Sequence, residues 1–317
     1  MDGLGNNLVV FRNVSKFYGD VLGVNRVDLS IPAGITSLVG PNGSGKTTLM
    51  NLMTGLIRPT QGEIEMLGYR PDRPENCFHH IGYCTQFDSF PAGVTGRKFI
   101  LGYLRVFGYE PAEANRLTEE ALVKVNMADA ADRRIAAYSK GMRQRIKLAQ
   151  AIAHRPDILI LDEPLNGLDP MARAEIIDLF RLLADEGQHI IISSHILHEV
   201  DMISHRVLIL NQGYVMADGD IRSVRTEMKT HPRQILIRCD KATLLASSAL
   251  QFNHVVEIKM HEDRQGVLIS TQDAEAFYGI LNRIILEHDI NVESVTAADE
   301  DVFAVYRYLV TEEGDNQ

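Results

Sequence analysis

The amino-acid sequence predicts an α/β fold with a mixed sheet, followed by a smaller α+β domain near the carboxyl end. Three observations support this prediction. A glycine-rich loop, residues 40–48, separates a short apolar strand from an amphipathic helix. Four apolar residues in succession, Ile158–Leu161, are typical of a strand that is buried on both faces. From residue 233 onward, shorter strands and helices alternate in a different pattern.

The length of 317 residues exceeds what one hydrophobic core usually organises, so we expect two domains. The chain carries 32 Lys and Arg residues against 42 Asp and Glu residues, a net charge of −10 that disfavours non-specific binding of DNA or RNA. We expect neither a secretory signal nor a membrane-spanning run, so any membrane role would require a partner. Cys77, Cys84 and Cys239 lack metal-ligand or C-x-x-C spacing and are expected to be inert thiols.

The loop at residues 40–48 reads Gly-Pro-Asn-Gly-Ser-Gly-Lys-Thr-Thr and matches the phosphate-loop pattern G-x-x-x-x-G-K-[ST]. Its glycines allow successive backbone N–H groups to converge on phosphate oxygens at the positive end of the following helix. Lys46 is placed to reach the β- and γ-phosphates, and Thr47 to ligate Mg²⁺. A flexible Gly/Ser turn is the alternative, but the strand Ile35–Val39 before the loop favours phosphate binding.

Strand-like runs at residues 8–11 and 27–31 precede this loop. Between them Tyr18 lies beside a turn, where its ring could stack on a purine base, although packing is the commoner role of a single tyrosine. After the loop, residues 62–67 are predicted to form an edge hairpin, and a further strand ends at Gln86.

Residues 87–153 are predicted to form a helical subdomain inserted between strands of the sheet. Apolar residues recur at helical spacing in two segments, 99–107 and 114–125. The subdomain closes with a polar loop, residues 137–144, which begins a helix that runs to about Ala153.

Two acids, Asp162 and Glu163, follow the buried strand at its carboxyl end, where open α/β sheets bind their ligands. Beside a phosphate loop, Asp162 is expected to hold Mg²⁺, directly or through water. Glu163 is then expected to act as a general base or to orient the attacking water. A charged turn without function is the alternative, which the buried strand before it disfavours.

A histidine-rich stretch follows the next predicted strand, residues 189–192, and contains His195, His198, Glu199 and His205. We reject a metal site here because one His pair at i,i+3 is not a defined ligand set and no H-E-x-x-H is present. A histidine at the end of a strand can instead serve as a hydrogen-bond donor.

We expect a first domain over residues 1–222, a linker over 223–232 and an accessory α+β domain over 233–317. An amphipathic helix at 171–183 and strands at 206–210 and 214–218 complete the first domain. The order of elements in the second resembles a ferredoxin-like unit. They are a strand at 234–239, a helix at 242–249, strands at 255–260 and 266–270, a helix at 274–287, a strand at 292–296 and a helix at 299–309.

In order and spacing, the motifs of the first domain resemble those of the nucleotide-binding subunits of ABC transporters. They are similar to the family's adenine-stacking aromatic (Tyr18), Walker A loop (40–48), Q-loop (Gln86), Walker B strand with catalytic glutamate (158–163), D-loop (165–169) and switch histidine (His195). The resemblance favours stacking over packing for Tyr18.

The signature loop of that family reads Leu-Ser-Gly-Gly-Gln, and this sequence has Tyr-Ser-Lys-Gly-Met at residues 138–142. Ser139 and Gly141 are kept, which are the groups that meet the γ-phosphate in the family. This loop and residues 82–88 resemble the ABC-2 type exporters, and Glu300–Phe303 is similar to the close of their accessory domain.

The resemblance implies an ATP hydrolase on the cytoplasmic face of the membrane, which forms a homodimer and drives a separate ABC-2 type permease without nucleic acid. A soluble ABC ATPase that acts on a ribosome or nucleic acid is the alternative. The implied catalytic residues are Glu163, His195, Gln86 and Lys46; the implied metal-binding residues are Thr47, Gln86 and Asp162. The implied ATP-binding residues are Tyr18, Pro41, Asn42, Gly43, Ser44, Gly45, Lys46, Thr47, Thr48, Ser139, Gly141 and Asp169.

Overall fold

A computed structural model describes residues 7–73, 77–204, 206–220, 232–261, 263 and 266–297. These residues form two compact units, of which the larger extends to Asp218 and the smaller is formed mainly by residues from Gly219 onward. Among them, no helix is long and apolar enough to cross a membrane. The predicted linker apart from Pro232, the predicted helix at 299–309 and the stretch Glu300–Phe303 lie outside the described residues.

The larger unit begins with a long antiparallel pair, β1 (Asn7–Tyr18) and β2 (Val21–Pro32). The two short strands predicted for this region are therefore parts of strands of 12 residues each. Asn13 and Arg26 adopt positive φ angles of 49° and 46°, and the register shifts near Asn13. Such irregularities interrupt the alternation of apolar residues, which is why the sequence pattern underestimates the strands.

β4 (Gln61–Met66) pairs with the free side of β1 and is an edge strand of this sheet. The hairpin predicted at residues 62–67 is wrong, because after β4 only an isolated bridge between Met66 and Tyr69 forms. Ile64 and Met66 are buried in the same core as helix α1 (Lys46–Met53), so pairing with β1 orients this strand toward the core.

The central sheet has six strands in the order β5-β6-β7-β3-β8-β9. Their bounds are Ile35–Val39 (β3), Ile81–Cys84 (β5), Ile158–Leu161 (β6), His189–Ser194 (β7), Arg206–Asn211 (β8) and Tyr214–Asp220 (β9). Pairing from β5 to β8 is parallel, so the carboxyl ends of β3, β7 and β6 lie side by side. The phosphate loop, His195 and the two acids therefore follow neighbouring strand ends.

The two faces of β6 explain its unbroken apolar run. Ile158 and Ile160 belong to the core that contains α1, whereas Leu159 and Leu161 belong to the core of the helical subdomain. All four side chains are fully buried, as the sequence predicts for a central strand.

The helical subdomain lies between β5 and β6 in the chain, as predicted, and consists of α2 (Gly96–Val106), α3 (Pro111–Lys124) and α4 (Lys140–Ile152). Apolar side chains at helical spacing fill its core, among them Ile100, Leu104, Ala114, Leu117, Ala121 and Leu122. Two helices, α5 (Pro170–Asp185) and α6 (Leu197–Ile203), flank β7 in the chain.

The smaller unit follows the predicted order. It contains β10 (Arg233–Cys239), α7 (Ala242–Ala249), β11 (Val255–Met260), β12 (Gly266–Thr271), α8 (Ala274–His288) and β13 (Val292–Ala297). The strands form an antiparallel sheet in the order β11-β12-β10-β13, and Ile235, Ile237, Leu245 and Phe277 are fully buried. This arrangement confirms the ferredoxin-like prediction for the described part of the unit.

Candidate functional site

The phosphate loop leads from β3 directly into α1, whose N-cap is Gly45 with a φ of 107°. A Cβ at Gly45 would lie 2.9 Å from Gly23 O, and a Cβ at Gly40 would lie 2.3 Å from Leu210 O. No side chain caps α1, although the first backbone N–H groups of a helix have no partner within the helix itself. The loop therefore has the geometry of an anion-binding site.

Lys46 is buried, and its ammonium group lies over the phosphate loop. Nζ donates to Gly40 O at 2.7 Å and to Pro41 O at 3.2 Å, and lies 3.5 Å from Glu163 Oε1. Each side chain of the Lys46–Glu163 pair is only 6% exposed. A buried ammonium is stable here because loop carbonyls and a carboxylate both compensate its charge.

A chain of hydrogen bonds joins α1 to the ends of β6 and β7. Thr47 Oγ1 donates to Asp162 Oδ2 at 2.8 Å, and Ser193 Oγ donates to Asp162 Oδ1 at 2.7 Å. Ser193 Oγ also accepts from Glu163 N at 2.7 Å. Hydroxyl and carboxylate oxygens are the hard ligands that Mg²⁺ prefers, so Thr47 and Asp162 fit that ion chemically.

Ser193 is the part of this arrangement that the sequence analysis missed. One hydroxyl orients Asp162 and also fixes the backbone of Glu163. The only signal in the sequence is its position in the polar end, Ser193-Ser194-His195, of an otherwise apolar strand.

Glu163 has a left-handed backbone with a φ of 49°, which is uncommon for this residue type. Its Oε2 lies 2.8 Å from His195 Nδ1, while its Oε1 faces Lys46. Because a carboxylate only accepts, Nδ1 of His195 carries the hydrogen in this contact. Glu163 is thus held between a cation and an imidazole, and strained backbone of this kind is frequent at functional sites.

Lys46, Thr47 and Glu163 border a cleft of about 410 Å³, within the size range of small-molecule sites. Asp162, Ser193 and His195 lie behind these residues in the hydrogen-bond network and do not line the cleft. Its wall is formed by Tyr18, Val21, Leu22, Gly23, Asn42, Gly43, Ser44, Gly45, Lys46, Thr47, Thr48, Gln86 and Glu163. Tyr18 is 45% exposed, with Lys16 Nζ 5.3 Å from its ring centroid. The buried hydroxyl of Ser44 has no hydrogen-bond partner within the described residues, so a phosphate oxygen would satisfy it.

Four predicted nucleotide contacts, Pro41, Ser139, Gly141 and Asp169, do not line this cleft. Ser139 caps α4, where its Oγ accepts from Met142 N at 3.2 Å. Asp169 caps α5 by accepting from Ala172 N at 2.9 Å. Pro41 contributes its carbonyl to Lys46 and does not itself line the wall.

In the histidine-rich stretch, the contacts that the structure describes are not those of a metal site. Glu199 is buried, accepts from Ser194 Oγ at 2.9 Å and pairs with Arg173 at 3.1 Å. The described residues contain no cluster of three or more His, Cys, Asp or Glu side chains that could hold a metal. The His198 side chain and His205 lie outside the description.

All three cysteines are buried, as the interpretation of inert thiols expects. Burial raises the pKa of Cys84 to about 12, so its reactive thiolate form is suppressed at neutral pH.

Fold and site together define a P-loop ATPase: a parallel sheet, a glycine loop at a helix start, and an acid pair at an adjacent strand end. Residues 24–166 match the family model described as ABC transporter. The chain is 36% identical over 211 residues to the Nod factor export ATP-binding protein I of Burkholderia orbicola, covering 66% of this chain and 69% of the relative. It is 29% identical over 259 residues to the daunorubicin/doxorubicin resistance ATP-binding protein of Streptomyces peucetius, covering 81% and 78%.

Solved structures agree with this assignment. One described as the ATP-binding subunit of an ABC transporter has a TM-score of 0.62 and 26% identity, covering 70% of this chain and 93% of its own. A dimeric bacterial ABC transporter cassette has a TM-score of 0.61 and 25% identity, covering 68% and 99%. The protein belongs to the ABC transporter family: it is an ATP-binding subunit with ATPase activity.

Proposed function

We propose that this subunit drives a separate ABC-2 type export permease by ATP-dependent formation of a head-to-tail homodimer at the cytoplasmic face of the membrane. One observation carries the proposal. The cleft holds Lys46, Thr47 and Glu163 of its own chain, whereas Ser139 and Gly141 lie outside it. A second chain could therefore place its Ser139 and Gly141 over the open side of a bound nucleotide.

Within one chain, the phosphate loop and Lys46 bind the triphosphate, and Tyr18 stacks on the base. Thr47, Asp162 and Gln86 would hold Mg²⁺, which when bound neutralises charge on the β- and γ-phosphate oxygens. Glu163 accepts a proton from the attacking water or orients it, and His195 maintains the orientation of the Glu163 carboxylate through Oε2. Asp169, the N-cap residue of α5, contributes a further contact to the bound ATP.

The partner and direction of transport are proposed from the named relatives, whose descriptions refer to Nod factor export and to drug resistance. The Tyr-Ser-Lys-Gly-Met loop supports the same group. We further propose a linker at 223–232 and an accessory domain over 233–317. Co-purification of the untagged chain with a protein of about six membrane-spanning helices would support the assignment, whereas co-purification with ribosomes or RNA would favour the alternative.

The dimer can be tested by mixing two inactive proteins. Lys46→Ala removes the phosphate ligand of its own chain, and Ser139→Arg blocks the surface offered to the partner. In a mixed dimer one composite site carries both lesions and the other carries none, and random pairing makes about half of the dimers mixed. We expect mixing to restore ATPase activity. Undiminished hydrolysis by Ser139→Arg at dilutions where it is monomeric would contradict the head-to-tail model.

A further inference from the structure

A buried lysine on the helix that begins at Ser139 holds the loop that carries Gln86. Lys147 lies on α4, is only 7% exposed at its side chain, and has all three of its donors engaged. Its Nζ donates to Thr85 O at 3.1 Å and to Gln86 O at 3.2 Å, and pairs with Asp88 Oδ1 at 3.1 Å. A charged group is rarely buried unless it is fully paired, so this contact fixes residues 85–88 against α4.

The same carboxylate continues the contact toward the signature loop, residues 138–142. Asp88 Oδ2 accepts from Arg143 Nε at 2.8 Å, and Arg143 Nη1 donates to Tyr138 O at 2.6 Å. Tyr138 directly precedes Ser139. A chain of contacts thereby links Gln86 to Ser139. It consists of two cations on successive turns of α4, Lys147 and Arg143, and of the Asp88 carboxylate between them.

We propose that Lys147, together with Asp88, is a positioning residue: it sets the placement of Gln86 in the cleft and couples that placement to the signature loop. The inference rests on the proposed function, in which Gln86 acts at the nucleotide. Within the described residues, the polar partners of Lys147 Nζ are the backbone carbonyls of the loop and Asp88, and Lys147 does not line the cleft, so we expect it to act on the reaction through Gln86. Loss of a positioning contact lowers the rate more than it lowers ground-state binding.

A double-mutant cycle in the full-length protein tests this role. Lys147→Met keeps the length of the side chain and removes its charge, and we expect it to lower kcat about tenfold while the KM for ATP changes less than about twofold. In the Gln86→Ala background, Lys147→Met should lower kcat by less than about twofold, because the residue through which it acts is already absent. Lys147→Arg should retain most of the rate.

Arg145→Met is a matched control on the same helix. Arg145 donates to Val125 O at 3.1 Å and pairs with Glu175, so it does not contact residues 85–88. Any effect of this variant on kcat should be the same with and without Gln86→Ala. Asp88→Asn tests the same contact while the buried Lys147 stays in place. Its effect on kcat should also be smaller in the Gln86→Ala background than in the wild type, but the difference should be less than for Lys147→Met.

The possible outcomes distinguish a failure of the positioning role of Lys147 from a failure of the proposed role of Gln86. If Gln86→Ala lowers kcat and Lys147→Met lowers it further by its full factor, Lys147 acts independently of Gln86 and the positioning role is overturned. An unchanged kcat for Lys147→Met in the folded protein would overturn it as well. An unchanged kcat for Gln86→Ala would overturn the proposed role of Gln86 and this inference with it, whereas the Lys46 and Glu163 variants would still report on ATP hydrolysis.

Discussion

The phosphate loop and the signature loop both precede a helix, but they differ in what their own chain supplies. At the phosphate loop, Lys46 and Thr47 already contact Glu163 and Asp162, and no side chain caps the helix. At the signature loop, the helix is capped by its own Ser139, and no residue of the loop lines the cleft. One loop belongs to a site assembled within the chain, and the other lies outside that site and, in our proposal, offers its groups to a second chain.

The cap on α4 is compatible with that second role. Ser139 Oγ accepts one hydrogen bond from Met142 N, and a hydroxyl that accepts still has a proton to donate. The cap therefore fixes the oxygen without using its donor. This difference between the loops predicts that lesions at the phosphate loop act within a chain, and lesions at the signature loop act across chains.

The largest expected effect separates binding from chemistry within the phosphate-loop site. Glu163→Gln should bind ATP with Mg²⁺, lower turnover by about 10²–10⁴-fold and accumulate as a closed dimer. Lys46→Ala should instead lose ATP affinity, because it removes a ligand of the ground state. Calorimetric ATP binding, single-turnover hydrolysis and size-exclusion chromatography with ATP distinguish the two results.

Glu113→Gln is a suitable control, since Glu113 lies on α3 and pairs with Arg116 at the surface. It should leave binding and turnover unchanged. Near-normal hydrolysis by Glu163→Gln would remove Glu163 from the catalytic role.

A smaller loss is expected for His195→Ala, about 10²-fold in rate, because the Glu163 carboxylate would lose the contact to its Oε2 that orients it. The KM for ATP should change little. Zinc analysis of the purified protein provides an independent check: a stoichiometric metal that disappears in His195→Ala would mean that the histidine-rich stretch is a metal site.

The next effect concerns the carboxyl end of α4, the helix that follows the signature loop. His154 follows α4, is 4% exposed, and its Nε2 lies 3.0 Å from Ile81 O. Burial lowers the pKa of His154 to about 4 from its ordinary 6.5. Since the unfolded chain binds the proton more readily, stability is complete above pH 6.5 and is lost as pH falls toward 4.

Lowering the pH from 7.5 to 5 should therefore cost about 2 kcal/mol of unfolding free energy through this residue. Denaturant unfolding of the wild type and of His154→Gln at both pH values measures the contribution. The variant should lose less stability than the wild type over this interval. Equal losses in both proteins would show that protonation of His154 is not the cause of the lost stability.

The smallest effect is expected from removing the accessory domain. A chain that ends at Thr226 should remain folded and bind ATP with wild-type affinity, because both loops and the central sheet are complete by Asp220. The defect should lie in dimer lifetime or in coupling to the permease. An insoluble product, or lost ATP binding, would show that the two units share one core.

The phosphate loop and the acids after β6 could be predicted because their chemistry is encoded in contiguous residues. Anion binding at a helix start requires a short glycine pattern, and a strand buried on both faces requires an unbroken apolar run. Helix positions in the subdomain also follow from spacing alone.

Other features depend on contacts between distant residues and leave little trace in the sequence. Ser193 acquires its role only when β7 lies beside β6, and Lys147 stands among charged and apolar residues that read as an ordinary amphipathic helix. The full length of β1 was hidden by the irregular register near Asn13. The cross-chain role of Ser139 follows from family resemblance and stays a prediction.

The position of β3 in the sheet also has a consequence for synthesis on the ribosome. β3 pairs with β7 and β8, and Val39 meets Ser194, a residue made about 150 residues later. At elongation rates of about 5–20 residues per second, the nascent chain must carry the apolar strand and its glycine loop for roughly 8–30 s before their neighbours emerge. During that interval both edges of β3 lack their native partners, so the apolar strand is exposed to non-native pairing until β7 and β8 are made and the nucleotide site can form.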